Sequence, residues 1–233
     1  MSDLKKININ GFAIYLSERL NHFDPHAVIE VLTRPSRDSE GILGGRAQIM
    51  SIKLADDNIA IKKYVRGGVP GKFVRGTYFR FGQNRAQIEY DILERVRAQG
   101  INAPEPLGYV LHGSIFYNAW LMMREIPGHK ALAQLALNDA EKAFAATDCL
   151  VESITKLVES GIYHVDLHPG NVLLDKNDRV YIIDFDRARL YRGDKNRLRD
   201  MYICRWRSAV IKYNLPDFLA ERICLGLRRK FVT

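Results

Sequence analysis

The chain is poor in the features that define several protein classes. Among 233 residues there are three cysteines. Cys149, Cys204 and Cys224 are odd in number and form no C-x-x-C pair, which excludes a fully paired disulfide framework and a thiolate metal site of ordinary spacing. They are expected to be reduced core thiols of a cytoplasmic protein. No stretch approaches the ~20 consecutive apolar residues that a membrane span needs. The start, Met1 to Asn10, is polar and lacks the apolar segment of a signal peptide. There is no internal repeat, no low-complexity tract and no nucleic-acid reader motif. Acidic residues are missing altogether between Asn58 and Ile88, a stretch with seven Lys or Arg.

What is present argues for a folded protein with anionic partners. The composition is 47% hydrophobic, enough for a core, and the length suits one large domain or two small lobes. The net charge of +8 is uneven, because Arg187 to Thr233 carries thirteen Lys or Arg against four Asp or Glu. Such clustering suits a nucleotide, a phosphorylated substrate, an anionic lipid surface or nucleic acid. Part of it is also what solvated helix faces would produce.

The hydrophobic pattern changes period along the chain. Asn10-Gly11 between two apolar runs predicts a hairpin. Asp24 followed by Pro25 predicts a capped helix start. Gly41, Gly44 and Gly45 precede a predicted strand over 46–54, and a second strand follows over 59–64. Alternation puts Ala60, Lys62 and Tyr64 on one face of it and Ile59, Ile61 and Lys63 on the other. A basic, glycine-rich loop from Arg66 to Gly82 leads into a helix over 84–99. That helix carries Ile88, Ile92, Leu93 and Val96 on one stripe, with Glu89 beside it toward the strands. Strands are expected over 107–111 and 115–123. A linker at 124–128 is the expected domain boundary, giving units 1–126 and 127–233. Asn138 is expected to cap a long helix ending at Gly161. Two basic amphipathic helices are expected after Asp186.

The densest chemistry lies in His164–Asp186, HVDLHPGNVLLDKNDRVYIIDFD. Asp166 and Asn171 stand on a loop broken by Pro169 and Gly170, outside regular structure. Val172–Leu174 and Val180–Ile183 are expected to form a hairpin around a polar turn, bringing Asp184 back beside that loop. Oxygen ligands of this kind suit a magnesium nucleotide, and a carboxylate can take the proton of an acceptor hydroxyl.

The order of glycines, strand lysine, helix glutamate, linker, H-x-D-x-x-x-x-N and D-F-x resembles the protein-kinase-like superfamily. The resemblance implies an α+β, bilobal fold. Its small N-terminal lobe would combine an antiparallel sheet with a helix, and its reduced C-terminal lobe would be mostly helical. It implies that ATP and Mg2+ are bound, with Gly44 and Gly45 near the phosphates and Lys62 on the α- and β-phosphates. Glu89 would pair with that lysine, and Glu125 would stand at the adenine-contacting hinge. Asp166 would be the catalytic base, and Asn171 and Asp184 the magnesium ligands. His164 would brace the loop; His168 stands where protein kinases carry a phosphate-contacting lysine.

Asp186 replaces the glycine of D-F-G, and no A-P-E sequence follows, which argues against a conventional protein kinase. The segments Tyr64-Val65-Arg66-Gly67-Gly68, Glu125-Ile126-Pro127-Gly128 and Ile183-Asp184-Phe185-Asp186-Arg187-Ala188-Arg189, together with Glu89 in its helix, resemble the bacterial lipopolysaccharide kinase group. Within that group they are most like the branch that phosphorylates 3-deoxy-D-manno-octulosonic acid (Kdo) on a lipid A precursor. The resemblance implies a multiply anionic glycolipid acceptor, with Arg187, Arg189 and Arg192 contacting it. It also implies a peripheral position on the cytoplasmic face of the inner membrane, where each surface cation adds roughly 1 kcal/mol. A heptose kinase of the same group and a small atypical protein kinase are the alternatives among enzymes. A pseudokinase is opposed by the presence of Lys62, Glu89, Asp166, Asn171 and Asp184. A nucleic-acid-binding module is opposed by the missing reader motif, and no nucleic-acid partner is expected.

Overall fold

A computed structural model describes residues 4–20, 24–33, 48–54, 57–64, 78–79, 84–113 and 116–231. Strands β1 (Lys5–Ile9) and β2 (Phe12–Leu16) pair antiparallel through the Asn10-Gly11 turn. Both turn residues have positive φ, 50° and 78°, as a type I′ hairpin requires. Helix α1 (Pro25–Thr33) begins where Asp24 accepts a hydrogen bond from the His26 amide at 2.9 Å. β3 (Gln48–Leu54) and β4 (Asp57–Lys63) form the next antiparallel pair, and β5 (Tyr78–Phe79) is short. Helix α2 (Arg85–Ala98) starts at Asn84, whose side chain accepts from the Gln87 amide at 2.8 Å. β6 (Pro106–Gly113) and β7 (Phe116–Arg124) follow.

The chain divides into two units, Met1–Glu94 with Glu105–Glu125, and Arg95–Pro104 with Ile126–Thr233. The first contains an antiparallel sheet in the order β1-β2-β6-β7-β4-β3, with β5 beside β7. Its apolar core combines Ile14, Ile59, Ile61, Leu107 and Met122 of the sheet with Val28 and Leu32 of α1. The alternation of β4 therefore acts as expected. Ile59 and Ile61 are drawn into this core by burial, and the intervening Lys62 is carried to the opposite face.

The second unit is mostly helical. A two-residue strand, β8 (Lys130–Ala131), leads into α3 (Leu132–Asn138), a helix the hydrophobic pattern did not reveal, and then into α4 (Ala140–Glu159). Asn138 is the last residue of α3, so it does not cap α4. Asp139 breaks the helix with φ −154° and accepts from the Lys142 amide at 3.1 Å. The acid one position further along thus takes the capping role. Short strands β9 (Ile162–Tyr163), β10 (Val172–Leu174), β11 (Val180–Ile182) and β12 (Arg189–Leu190) lie between α4 and the last two helices, α5 (Lys195–Lys212) and α6 (Phe218–Lys230). β8, β10 and β11 form one small sheet, and β9 with β12 another.

The cysteines correct the sequence reading. Cys224 on α6 is buried, but Cys149 on α4 and Cys204 on α5 are exposed. The buried stripe of α4 runs through Ala146, Leu150, Ile154 and Leu157, and position 149 falls outside it. Among the described residues no helix is long and apolar enough to cross a membrane.

Candidate active site

In the first unit, Lys62 of β4 and Glu89 of α2 form the ion pair expected of them. Lys62 Nζ lies 3.0 and 2.9 Å from the two carboxylate oxygens. Both side chains are almost fully enclosed, at 7% and 1% exposure. Removing two charges from water is costly, and the pair survives because each satisfies the other. Tyr64, next along the same face of the chain, donates its hydroxyl to Glu89 Oε2. Lys62 Nζ also stands 5.4 Å from the centre of the Tyr64 ring. The lysine is thus held by carboxylate and aromatic ring together. Glu125 follows β7; its amide donates to Asn58 O at 2.9 Å, and its carboxylate accepts from Ser51 Oγ at 3.2 Å. Gly44 and Gly45, proposed near the phosphates, lie outside the described residues, as does the Arg66–Gly68 motif.

In the second unit the structure brings Asp166, Asn171 and Asp184 together through backbone contacts. The Asn171 amide group donates to the backbone oxygen of Asp166 at 3.0 Å. Asn171 closes a short 3-10 turn, Pro169–Asn171, so it is not outside regular structure as the Pro-Gly break suggested. The Gly170 amide donates to His168 Nδ1 at 3.1 Å, which steadies the turn. β10 and β11 pair as the expected hairpin, with Val172 opposite Ile182. Its polar turn is organised by the buried Asp175, whose carboxylate accepts from the amides of Asn177 and Arg179 at 2.8 and 2.9 Å. The Ile183 amide then donates to Asn171 O at 3.0 Å, fixing the start of the Asp184 loop beside the catalytic-loop candidate. Asp184 has φ 63°, a left-handed conformation that side chains adopt at a cost and that recurs at functional sites.

His164 braces this arrangement. Its ring donates from Nε2 to Ile183 O at 2.9 Å, and its amide donates to the Tyr202 hydroxyl at 2.8 Å. The Tyr202 hydroxyl in turn donates to Ile162 O at 2.8 Å. Phe185, fully buried, meets the His164 ring edge-on at 4.6 Å. Burial pushes the His164 imidazole below the ordinary histidine range, against the opposing pull of the Ile183 carbonyl and the charges of Asp184 and Asp166. The ring is therefore neutral near pH 7, with Nδ1 buried and unpartnered among the described residues. Burial lowers His168 as well.

Oxygen donors such as Asn171 and Asp184 fit magnesium, which keeps water and phosphate oxygens as its remaining ligands. The Asn171 side-chain nitrogen is committed to Asp166, which leaves its amide oxygen for that task. No cluster of three His, Cys, Asp or Glu side chains suited to a metal exists among the described residues.

Arg187, Arg189 and Arg192 are exposed. Arg189 lies in β12, paired opposite Tyr163, with its guanidinium 5.6 Å from that ring. Arg187 and Arg192 pair with no carboxylate among the described residues. The Tyr191 amide donates to Gly161 O at 2.7 Å, pinning this basic segment to the end of α4. Gly161 has φ 63°, and an added Cβ would meet Tyr191 O at 2.7 Å, so only glycine suits the junction.

Two residues that complete the loop carry no motif. Arg205 pairs its Nη2 with Asp166 Oδ1, and Tyr202 ties together the backbone on either side of Tyr163. Their spacing of three on an amphipathic helix places them on one face, the only sequence signal for either.

The antiparallel sheets and six helices of the described residues, with a lysine–glutamate pair and an Asp, Asn and Asp on paired loops, are consistent with a kinase-like fold. The chain belongs to the lipopolysaccharide kinase (Kdo/WaaP) family, whose model matches residues 38–213. It is similar to the 3-deoxy-D-manno-octulosonic acid kinase of Vibrio vulnificus (strain YJ016), with 31% identity over 157 residues, 66% of each chain. It is also similar to proteins of the same name from Vibrio cholerae, at 29% over 66% of each chain, and Xylella fastidiosa (strain M23). The Xylella match has 28% identity and covers 63% of this chain and 59% of the relative. The matched stretch thus spans between 59% and 66% of the length of these relatives.

Proposed function

We propose that the chain is an ATP-dependent kinase that phosphorylates a hydroxyl of the Kdo sugar on a lipid A precursor, in lipopolysaccharide core biosynthesis. The observation that carries this reading is the Asp166 loop. Its carboxylate is 38% exposed, its backbone is fixed by Asn171, and the Asp184 loop is tied to the same residue. Family membership and the Kdo kinases among the relatives support the choice of acceptor.

In this mechanism Lys62 binds the α- and β-phosphates, oriented by Glu89. Asn171 and Asp184 hold Mg2+, which neutralises phosphate charge when bound. Asp166 accepts the proton of the sugar hydroxyl as that oxygen forms its bond to the γ-phosphorus. The bond from the γ-phosphorus to the bridging oxygen breaks, and ADP leaves with the electron pair. Arg187, Arg189 and Arg192 contact the anionic acceptor through their guanidinium groups. The basic helices α5 and α6 rest on the anionic cytoplasmic leaflet, and the protein associates peripherally.

The test is mass spectrometry of a Kdo–lipid A precursor before and after incubation with ATP and Mg2+. The expected product is heavier by one phosphoryl group. Phosphorylation of a heptose-bearing glycolipid or of a protein acceptor instead, with the Kdo acceptor untouched, would overturn the acceptor assignment.

A further inference from the structure

The cation beside the candidate base does not come from the loop that carries it. From His164 to Asn171 the titratable nitrogens belong to His164 and His168, and burial holds both imidazoles below the ordinary range. The positive charge comes from Arg205, in the middle of α5, whose Nη2 contacts Asp166 Oδ1. Asp166 Oδ2 has no hydrogen-bond partner among the described residues.

α5 presents this arginine on a fixed base. One turn earlier, Tyr202 is bonded through its hydroxyl to the His164 amide and the Ile162 carbonyl. Immediately after, Trp206 donates from Nε1 to Leu219 O at 2.9 Å, locking α5 to α6. The Arg205 Nε is buried and has no partner among the described residues. A pair intended only for stability would be badly placed here. With side chains 31% and 38% exposed it is screened by solvent, and it leaves one donor buried without an acceptor. Its clear effect is orientation, because an aspartate held by one oxygen on a rigid helix keeps the other in a set direction.

We propose that Arg205 is a positioning residue for the phosphotransfer: by holding Oδ1 of Asp166, it turns Oδ2 toward the acceptor hydroxyl. This rests on the kinase reading above, with Asp166 as base.

The test compares wild type, Arg205→Met, Arg205→Lys, Arg205→Ala, Asp166→Asn and the Asp166→Asn/Arg205→Met double variant in steady-state phosphotransfer. Misplacing a reacting group by about 1 Å can cost on the order of 100-fold. Arg205→Met is therefore expected to lower kcat roughly 10- to 100-fold, with KM for ATP within about twofold of wild type. Arg205→Lys should recover part of the loss. Arg205→Ala should gain turnover when millimolar guanidinium chloride is added, which a general loss of folding would not allow. An arginine acting only through Asp166 makes the double variant no slower than Asp166→Asn alone. Wild-type or raised kcat in Arg205→Met overturns the proposal, as does a double variant well below Asp166→Asn. If the wild type phosphorylates a heptose glycolipid or protein instead of the Kdo acceptor, the acceptor reading falls. The same ratios measured on that acceptor still decide the role of Arg205. If it phosphorylates none, both fall.

Discussion

The molecule uses the same chemical pair, a cation and a carboxylate, in two opposite settings. Lys62–Glu89 in the first unit is sealed, with exposures of 7% and 1%. Arg205–Asp166 in the second is open, with 31% and 38%. A sealed pair cannot exchange partners with water, so its cost and strength both go into holding the lysine in one place. An open pair is weak as a fastener, but it leaves a carboxylate within reach of a substrate. Burial therefore separates a cation that is enclosed from a carboxylate that stays open to solvent.

Several changes would break or sharpen that contrast. The largest effect is expected at the open pair. Asp166→Asn should lower turnover by about 10²- to 10⁴-fold while changing unfolding free energy by less than about 1 kcal/mol. Steady-state kinetics and urea denaturation measure the two sides, and a large stability loss with intact turnover would reverse the contrast. At the sealed pair the expectation is the opposite. Glu89→Gln takes the carboxylate charge out of an enclosed pair, and stability should fall by about 3–5 kcal/mol in urea denaturation. Tyr64→Phe removes one hydrogen bond to the same carboxylate and should cost about 1.5–3 kcal/mol, with the same readout.

His164 provides a pH-dependent comparison. Its folded-state affinity for protons is lowered by burial, so the unfolded chain binds the proton more readily. The stabilisation is fully present above the ordinary histidine value of about 6.5 and is lost as the pH falls below it. The slope is at most about 1.4 kcal/mol per pH unit for this one residue, and His164→Asn should flatten it in denaturation curves between pH 7 and 5. The smallest change is expected at a surface pair. Asp148, 77% exposed, is the partner of Arg222, and Asp148→Asn should alter stability by less than about 1 kcal/mol.

How much of this could be read from the chain depended on whether the signal was local. The Asn10-Gly11 hairpin, the alternation that places Lys62 opposite Ile59 and Ile61, and the β10–β11 hairpin all follow from short patterns, and the structure reproduces them. The Lys62–Glu89 pair was reached through a resemblance, because twenty-seven residues separate its members. Arg205 stands thirty-nine residues from Asp166 with no motif around it, and only tertiary packing makes them neighbours. The short helix α3 was hidden because its leucines and alanines run without a charged face to show a period. The cap of α4 was displaced by one residue because Asn138 and Asp139 are both good caps, and the end of α3 decided between them.

Tyr202 has a consequence that reaches beyond its packing. The amide proton of His164 is covered by a phenol that is itself anchored to Ile162 O, so it can exchange with solvent only when α5 lifts from the loop. Burial holds the phenol protonated far into the alkaline range, so the cover persists at the high pH where amide exchange is fastest and easiest to follow. One proton thus serves as a clock for loop opening, and it keeps time in variants that have lost all activity.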